Sequence, residues 1–181
     1  MKHSLYIRQN FLLTMYRNHV YKLAKFLVGK SVLEVGANKG VLFKKHFRSA
    51  KTYMLLEPNE RFRKGYEDLA RNYGNLHYEI NDFKNFKSTQ TFDTVLMMAV
   101  ISHIRWEPRE IYEKIDSLLN PGGTLVIETN NTKRNLEVMD YCKKNYDLIE
   151  AKKSYTGILK WLKIDDRDVY IYTKRLPAPD A

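Results

Sequence analysis

The stretch Glu34-Val35-Gly36-Ala37-Asn38-Lys39-Gly40 sets an acid two residues before one glycine and six before another. A short apolar run leads into it, so it reads as a strand ending in a turn, the place where open parallel sheets hold their ligands. A dinucleotide fingerprint would need glycine at 36, 38 and 41, but the chain has Gly36, Asn38 and Val41. A phosphate loop of the G-x-x-x-x-G-K-[ST] type is not matched either. Glu57 closes the second apolar run with a carboxylate that can accept both hydroxyls of a ribose. His103 follows the fourth run and is the candidate general base, since imidazole titrates near neutrality. The chemistry suggested is recognition of a nucleoside without a phosphate cradle, with a proton acceptor at the same end of the strands.

Those positions need a sheet to carry them. Apolar runs bounded by turn residues predict strands at 31–36, 51–57, 76–80, 92–98 and 123–129. Helical spacing falls between them, over 39–49, 59–73, 107–119 and 132–145. Strands alternating with helices predict a parallel sheet covered on both faces. Residues 146–153 and 168–174 read as two strands without a full helix between them, which predicts an antiparallel pairing. Upstream, Ile7, Phe11, Met15, Val20, Leu23 and Leu27 keep helical spacing up to Gly29, with Ser31 opening the next element. The expected organisation is one domain over 1–181: a helix in 1–30 as substrate cover, a core over 31–175 and a frayed tail at 176–181.

Composition narrows the class. The lone Cys142 excludes an internal disulfide, and no apolar run is long enough to span a bilayer, so a cytoplasmic protein is expected. The formal charge is +10, and residues 1–33 carry six Lys and Arg without one Asp or Glu. Such a surface attracts polyanions, RNA among them, although a lysine-rich genome would write the same residues on any solvated face.

Residues 34–40 resemble motif I of the class I S-adenosylmethionine-dependent methyltransferases, an acid followed by spaced glycines, with Asn38 in place of the middle glycine. Asparagine is the non-glycine residue best suited to positive φ there. The resemblance continues in order through Glu57, the Asp82-Phe83 step, the FDTVLMMAVISHI segment at 92–104 and the LNPGGTLVIET segment at 119–129. It implies a Rossmann-like, doubly wound α/β sheet of seven strands, six parallel and one antiparallel, with helices on both faces. It also implies S-adenosylmethionine as cofactor, contacted by Glu34, Gly36, Ala37, Asn38, Gly40, Glu57, Pro58, Asp82, Phe83 and Met98. In that reading Glu34 binds an ammonium group, Gly36 and Gly40 admit the cofactor's amino-acid part, Glu57 holds the ribose, and Asp82 and Phe83 hold the adenine. Asp82 reads equally as the cap of a short turn.

The acceptor is less constrained. The N-methylating D/N-P-P-Y signature is absent after the fourth strand, and Cys142 lies too late in the chain for a base-carbon nucleophile. The Glu-x-x-Glu-His metal cluster of small-RNA methyltransferases is also missing, so no metal is expected. A small molecule methylated on oxygen or nitrogen is the expected acceptor. RNA is the alternative, because Asn38 and the His103-Ile104-Arg105-Trp106 stretch resemble enzymes that methylate the 5′ phosphate of RNA. A non-catalytic, cofactor-binding interaction module is the third reading. Substrate contacts are expected from Glu128, Thr129 and Asn130, and from the connection 155–167, where Tyr155, Trp161, Lys160 and Lys163, with Trp106 and Arg134 nearby, could hold a planar anion.

Overall fold

The computed structural model describes residues 22–46, 49–153 and 167–177. Strands β1 (Ser31–Val35), β2 (Thr52–Leu56), β3 (Leu76–Glu79), β4 (Phe92–Met98), β5 (Leu119–Asn130), β6 (Tyr146–Lys153) and β7 (Arg167–Lys174) form one sheet in the order β3-β2-β1-β4-β5-β7-β6. The first five pair in parallel, and β7 runs antiparallel to both of its neighbours, β5 and β6. Six strands therefore share one direction, as expected, and the odd one lies one place in from the edge. Strand order reverses at β1, which puts the turn after it at the switch point of the sheet.

Helices α1 (Val41–His46), α2 (Arg63–Asn72), α3 (Pro108–Leu118) and α4 (Lys133–Asn145) cover both faces. Alternation along β1 divides the core: Val32 packs with Leu42 and Phe43 of α1 and Tyr66 of α2, whereas Leu33 and Val35 pack with Ile111 and Ile115 of α3 and Val138 and Met139 of α4. Burial of both faces is why the central strands read as continuous apolar runs. Helix α3 starts sharply because Glu107 and Glu110 form a reciprocal capping box around Pro108, and Thr132 caps α4 by accepting from the Asn135 amide.

The largest differences from the sequence reading lie at β5 and upstream of β1. Strand β5 begins at Leu119 rather than 123, because Leu119 pairs with Phe92 before a register shift moves Thr124 opposite Thr94, and the irregularity absorbs Pro121 and Gly122. Over the described residues 22–29 the expected helix is not regular: Lys22 has φ 48° and a 3₁₀ turn, Leu23–Phe26, follows it. Leu23 and Leu27 are nevertheless fully buried on the α1 face, and Gly29 ends the turn at φ 69°. Residues 1–21, 154–166 and 178–181 lie outside the described residues, and with them most of the expected substrate cover, including Tyr155 and Trp161.

At the opposite end of the strands, Asp93 ties three of them together. Its carboxylate accepts from the Ser31 amide and hydroxyl at 2.9 Å each, and from Asn120 Nδ2 at 2.9 Å. Burial alone would raise its pKa, but those hydrogen bonds and the nearby Lys30 charge bring the carboxyl below its ordinary value. Asp93→Ala is expected to lower unfolding free energy by about 1–3 kcal/mol at neutral pH. With a folded pKa below the unfolded one, that contribution is complete above the unfolded pKa and fades as pH falls through the folded value. Denaturant titrations from pH 7 down to acid should show the wild type and the alanine variant converging.

Candidate functional site

A cleft of about 280 Å³ opens at the carboxyl ends of β1, β2 and β4 and beyond β3. Gly36, Pro58, Asp82, Phe83 and His103 line it, which brings together five of the expected site residues from four different strand ends. Phe83 and Trp106 pack at 6.3 Å between ring centroids, and the Lys84 ammonium sits 5.4 Å from the Trp106 ring. The wall is thus aromatic with a cation against its indole, an arrangement suited to a planar ligand.

The turn after β1 is held by its own hydrogen bonds. The amides of Gly36 and Ala37 donate to the Leu56 carbonyl at 2.8 and 3.2 Å, and that of Gly40 to the Ala37 carbonyl at 2.9 Å. The Asn38 amide donates to Glu57 Oε2 at 2.9 Å, and Glu57 Oε1 accepts from the Asn59 amide at 3.1 Å. These donors are engaged internally, which argues against a phosphate cradle and for a ligand that meets the turn through shape. Asn38 takes φ 52°, as its replacement of a glycine requires.

Beneath the turn, two phenols that sequence reasoning did not find join its acids. Tyr53, fully buried, donates to Glu34 Oε2 at 2.7 Å, and the Tyr66 hydroxyl donates to the Asn38 carbonyl. Burial first, and then the charge of Glu34, raises the Tyr53 pKa; burial with the charges of Glu57 and Glu34 raises that of Tyr66. Both phenols therefore stay protonated and act as donors. Both belong to the core on the α1 face; on β2, Tyr53 lies in register with Val32 on β1, two residues before Glu34, a pairing visible only once the register is known.

Several expected residues also make structural contacts of their own. A Cβ on Gly40 would meet Leu55, Leu69 and Tyr66, so this glycine makes room for helix packing. Met98 belongs to the core on the α1 face. Asp82 caps a turn, accepting from the Asn85 amide at 2.7 Å and from Asn85 Nδ2 at 2.9 Å. Arg134, expected to meet an anion, instead donates to the carbonyls of Ile101, Ile104 and Trp106. Of the residues at the end of β5, Glu128 is fully buried and lies 3.8 Å from Arg167, and the Asn130 side chain is held by Asn135 Nδ2 at 2.6 Å. Cys142 is buried among apolar groups, and that burial, followed by the charge of Asp116, pushes its thiol up to about 12, so it is no nucleophile. Among the described residues no group of three or more His, Cys, Asp or Glu is placed to hold a metal, and no helix is long and apolar enough to cross a membrane.

A family model described as a methyltransferase domain matches residues 7–163. The fold and this match define the class as S-adenosylmethionine-dependent methyltransferases of class I, and the chain belongs to that methyltransferase-domain family. It is 30% identical over 124 residues to a ubiquinone biosynthesis O-methyltransferase of Actinobacillus pleuropneumoniae, covering 63% of this chain and 51% of that one. It is 29% identical over 109 residues to a tRNA U34 carboxymethyltransferase of Idiomarina loihiensis, covering 57% and 33%. The chain thus spans about half of one curated relative and a third of the other. In structure it resembles the N-methyltransferase NodS of Bradyrhizobium japonicum bound to S-adenosyl-L-homocysteine, with TM-score 0.71 at 14% identity over 92% of this chain and 86% of that one. It also resembles the magnesium protoporphyrin IX methyltransferase of Synechocystis with bound S-adenosylmethionine, with TM-score 0.67 at 14% identity over 90% and 79%. At such identity the structural likeness speaks for the fold.

The geometry of Gly36 gives a direct test. Its φ is 71°, and a Cβ placed there would lie 2.6 Å from Val100 Cγ2. Gly36→Ala is expected to cost about 1–3 kcal/mol in unfolding free energy through backbone strain and this clash. Adding Val100→Ala should recover part of the loss, measured as the coupling in a double-mutant cycle.

Proposed function

We propose that this S-adenosylmethionine-dependent methyltransferase holds its cofactor in the cleft between the turn after β1 and the loop after β4, and methylates an oxygen or nitrogen of a small molecule. The observation that carries the reading is the convergence of Gly36, Pro58, Asp82, Phe83 and His103 on one cleft, in the order the family motifs require. The residues present fit the cofactor. Phe83 and Trp106 offer an apolar wall to a purine, with Asp82 at its rim. Glu57 uses one acceptor site on each oxygen for backbone amides, and a carboxylate has about four such sites, so capacity remains for ribose hydroxyls.

When bound, S-adenosylmethionine supplies an electrophilic methyl group whose displacement leaves a neutral thioether. The chain's own task is then to align an acceptor, exclude water and remove a proton where the acceptor is a hydroxyl. His103 stands exposed on the 3₁₀ turn Ile101–His103 at the edge of the cleft, and its imidazole takes that proton. The O-methyltransferase among the relatives supports a small acceptor.

A second reading, RNA as acceptor, is favoured by the distribution of charge. Residues 1–56 hold eleven of the 31 Lys and Arg but one of the 21 Asp and Glu, so the formal charge of +10 resides there and the remainder is neutral. That one acid, Glu34, is buried, whereas Lys22, Lys25, Lys30, Lys39, Lys44, Lys45 and Lys51 are all exposed. The tRNA-modifying relatives agree with this reading.

Transfer of tritiated methyl from S-adenosylmethionine into cell extract separates the two. Label in a small, ribonuclease-resistant fraction is the expected result, and label in a large, ribonuclease-sensitive fraction would establish RNA instead. Calorimetry with S-adenosylhomocysteine tests the cleft: Glu57→Gln should weaken binding by about 1–3 kcal/mol. His103→Ala should leave that affinity unchanged and lower turnover by about 10²-fold. A loss below about threefold would assign His103 a structural role.

A further inference from the structure

We infer that Arg134 is a positioning residue of the cleft: it sits behind the loop after β4 and clamps the loop backbone into the shape that makes the cofactor wall. The inference rests on the reading of the cleft as the cofactor site. Arg134 occupies the first turn of α4, half-buried, and its guanidinium donates to the carbonyls of three residues of one loop, Ile101, Ile104 and Trp106. The Ile101 contact is 3.3 Å. Ile104 and Trp106 both line the cleft, and Val100 and His103, which line it too, lie within the same short segment.

Two features mark this contact as more than a surface hydrogen bond. A cation in the first turn of a helix faces the positive end of the helix dipole, so its position there is unfavourable unless another partner compensates. The three carbonyls supply that partner, and only a planar fork with several fixed donors can serve them together, which a lysine ammonium on a shorter arm does less completely. The loop also needs holding. Ala99, at its entrance, is forced to φ 60°, a conformation that a residue with a Cβ adopts at a cost, and the next residue, Val100, is pressed against Gly36. A strained entrance and no regular element beyond Ile101–His103 leave the wall dependent on tethers from outside, and Arg134 provides three.

The test compares Arg134→Met and Arg134→Lys with the wild type, using S-adenosylhomocysteine titration, unliganded melting temperature and acrylamide quenching of Trp106 in a Trp161→Phe background. Arg134→Met is expected to raise the Kd by about tenfold, as loss of charged hydrogen bonds predicts. Trp106 should become more quenchable, with the unliganded melting temperature nearly unchanged. Arg134→Lys should recover part of both effects, with a Kd within about threefold of wild type. Wild-type Kd in both variants would overturn the clamp, as would a raised Kd with unaltered Trp106 quenching, or a loss of binding that merely follows a loss of folded protein. If Arg134→Met does not fold, Arg134→Gln takes its place, with the same expected rise in Kd and the same overturning results. Glu57→Gln, between the cleft-lining Leu56 and Pro58 and away from the loop after β4, separates the two claims. Normal binding in Glu57→Gln would count against the cleft as cofactor site, whereas weakened binding there beside normal binding in the Arg134 variants would reject the clamp alone.

Discussion

Close approach between the turn after β1 and the loop after β4 governs the rest of this site. The two meet where Gly36 has no side chain and Val100 fills the space, with a separation that any Cβ would violate. Each side of that contact is then fixed from behind. The turn is fastened to β2 by the Leu56 carbonyl and Glu57, and the loop is fastened to α4 by Arg134. The cleft is the space left over once both are fixed, so its shape depends on residues that do not line it.

Glu57 shows how one carboxylate can serve two purposes. By accepting from Asn38 on one side and Asn59 on the other, it joins the turns after β1 and β2 into one unit. The phenols of Tyr53 and Tyr66 support the same unit from the core side, and burial keeps them protonated where an ionised phenol would repel the nearby acids. Pre-arranged polar groups of this kind need little reorganisation when a ligand arrives.

Much of the fold was legible in the residues. Continuous apolar strands between amphipathic helices announce a doubly covered parallel sheet, and helical spacing over 107–119 announces α3. What could not be read depends on long-range register. Asp82 and Arg134 are polar residues near the ligand end in sequence, and polarity there suits a ligand contact and a backbone tether equally well. Only the placement of three carbonyls around Arg134 identifies the tether there, and Asp82 serves the Asn85 turn while also lining the cleft. Gly40 is similar: the spacing suits the motif, but the atoms it makes room for are Leu55, Leu69 and Tyr66. The left-handed Lys22 was hidden as well, because the apolar spacing of the sequence does not detect a single left-handed residue.

The position of β7 in the sheet bears on how the molecule is made. This strand follows β6 in the chain yet lies between β5 and β6, and it supplies the pairing partner of both. As the polypeptide leaves the ribosome, β1 through β5 can assemble in the order of synthesis. Strand β6 emerges with no neighbour to bond to and must wait, its backbone groups solvated, until β7 slides in beside β5. The far end of the sheet therefore closes in one late step, and a released chain cut short before Arg167 would present the free edge of β5 and an unpaired β6 to whatever else is in the cell.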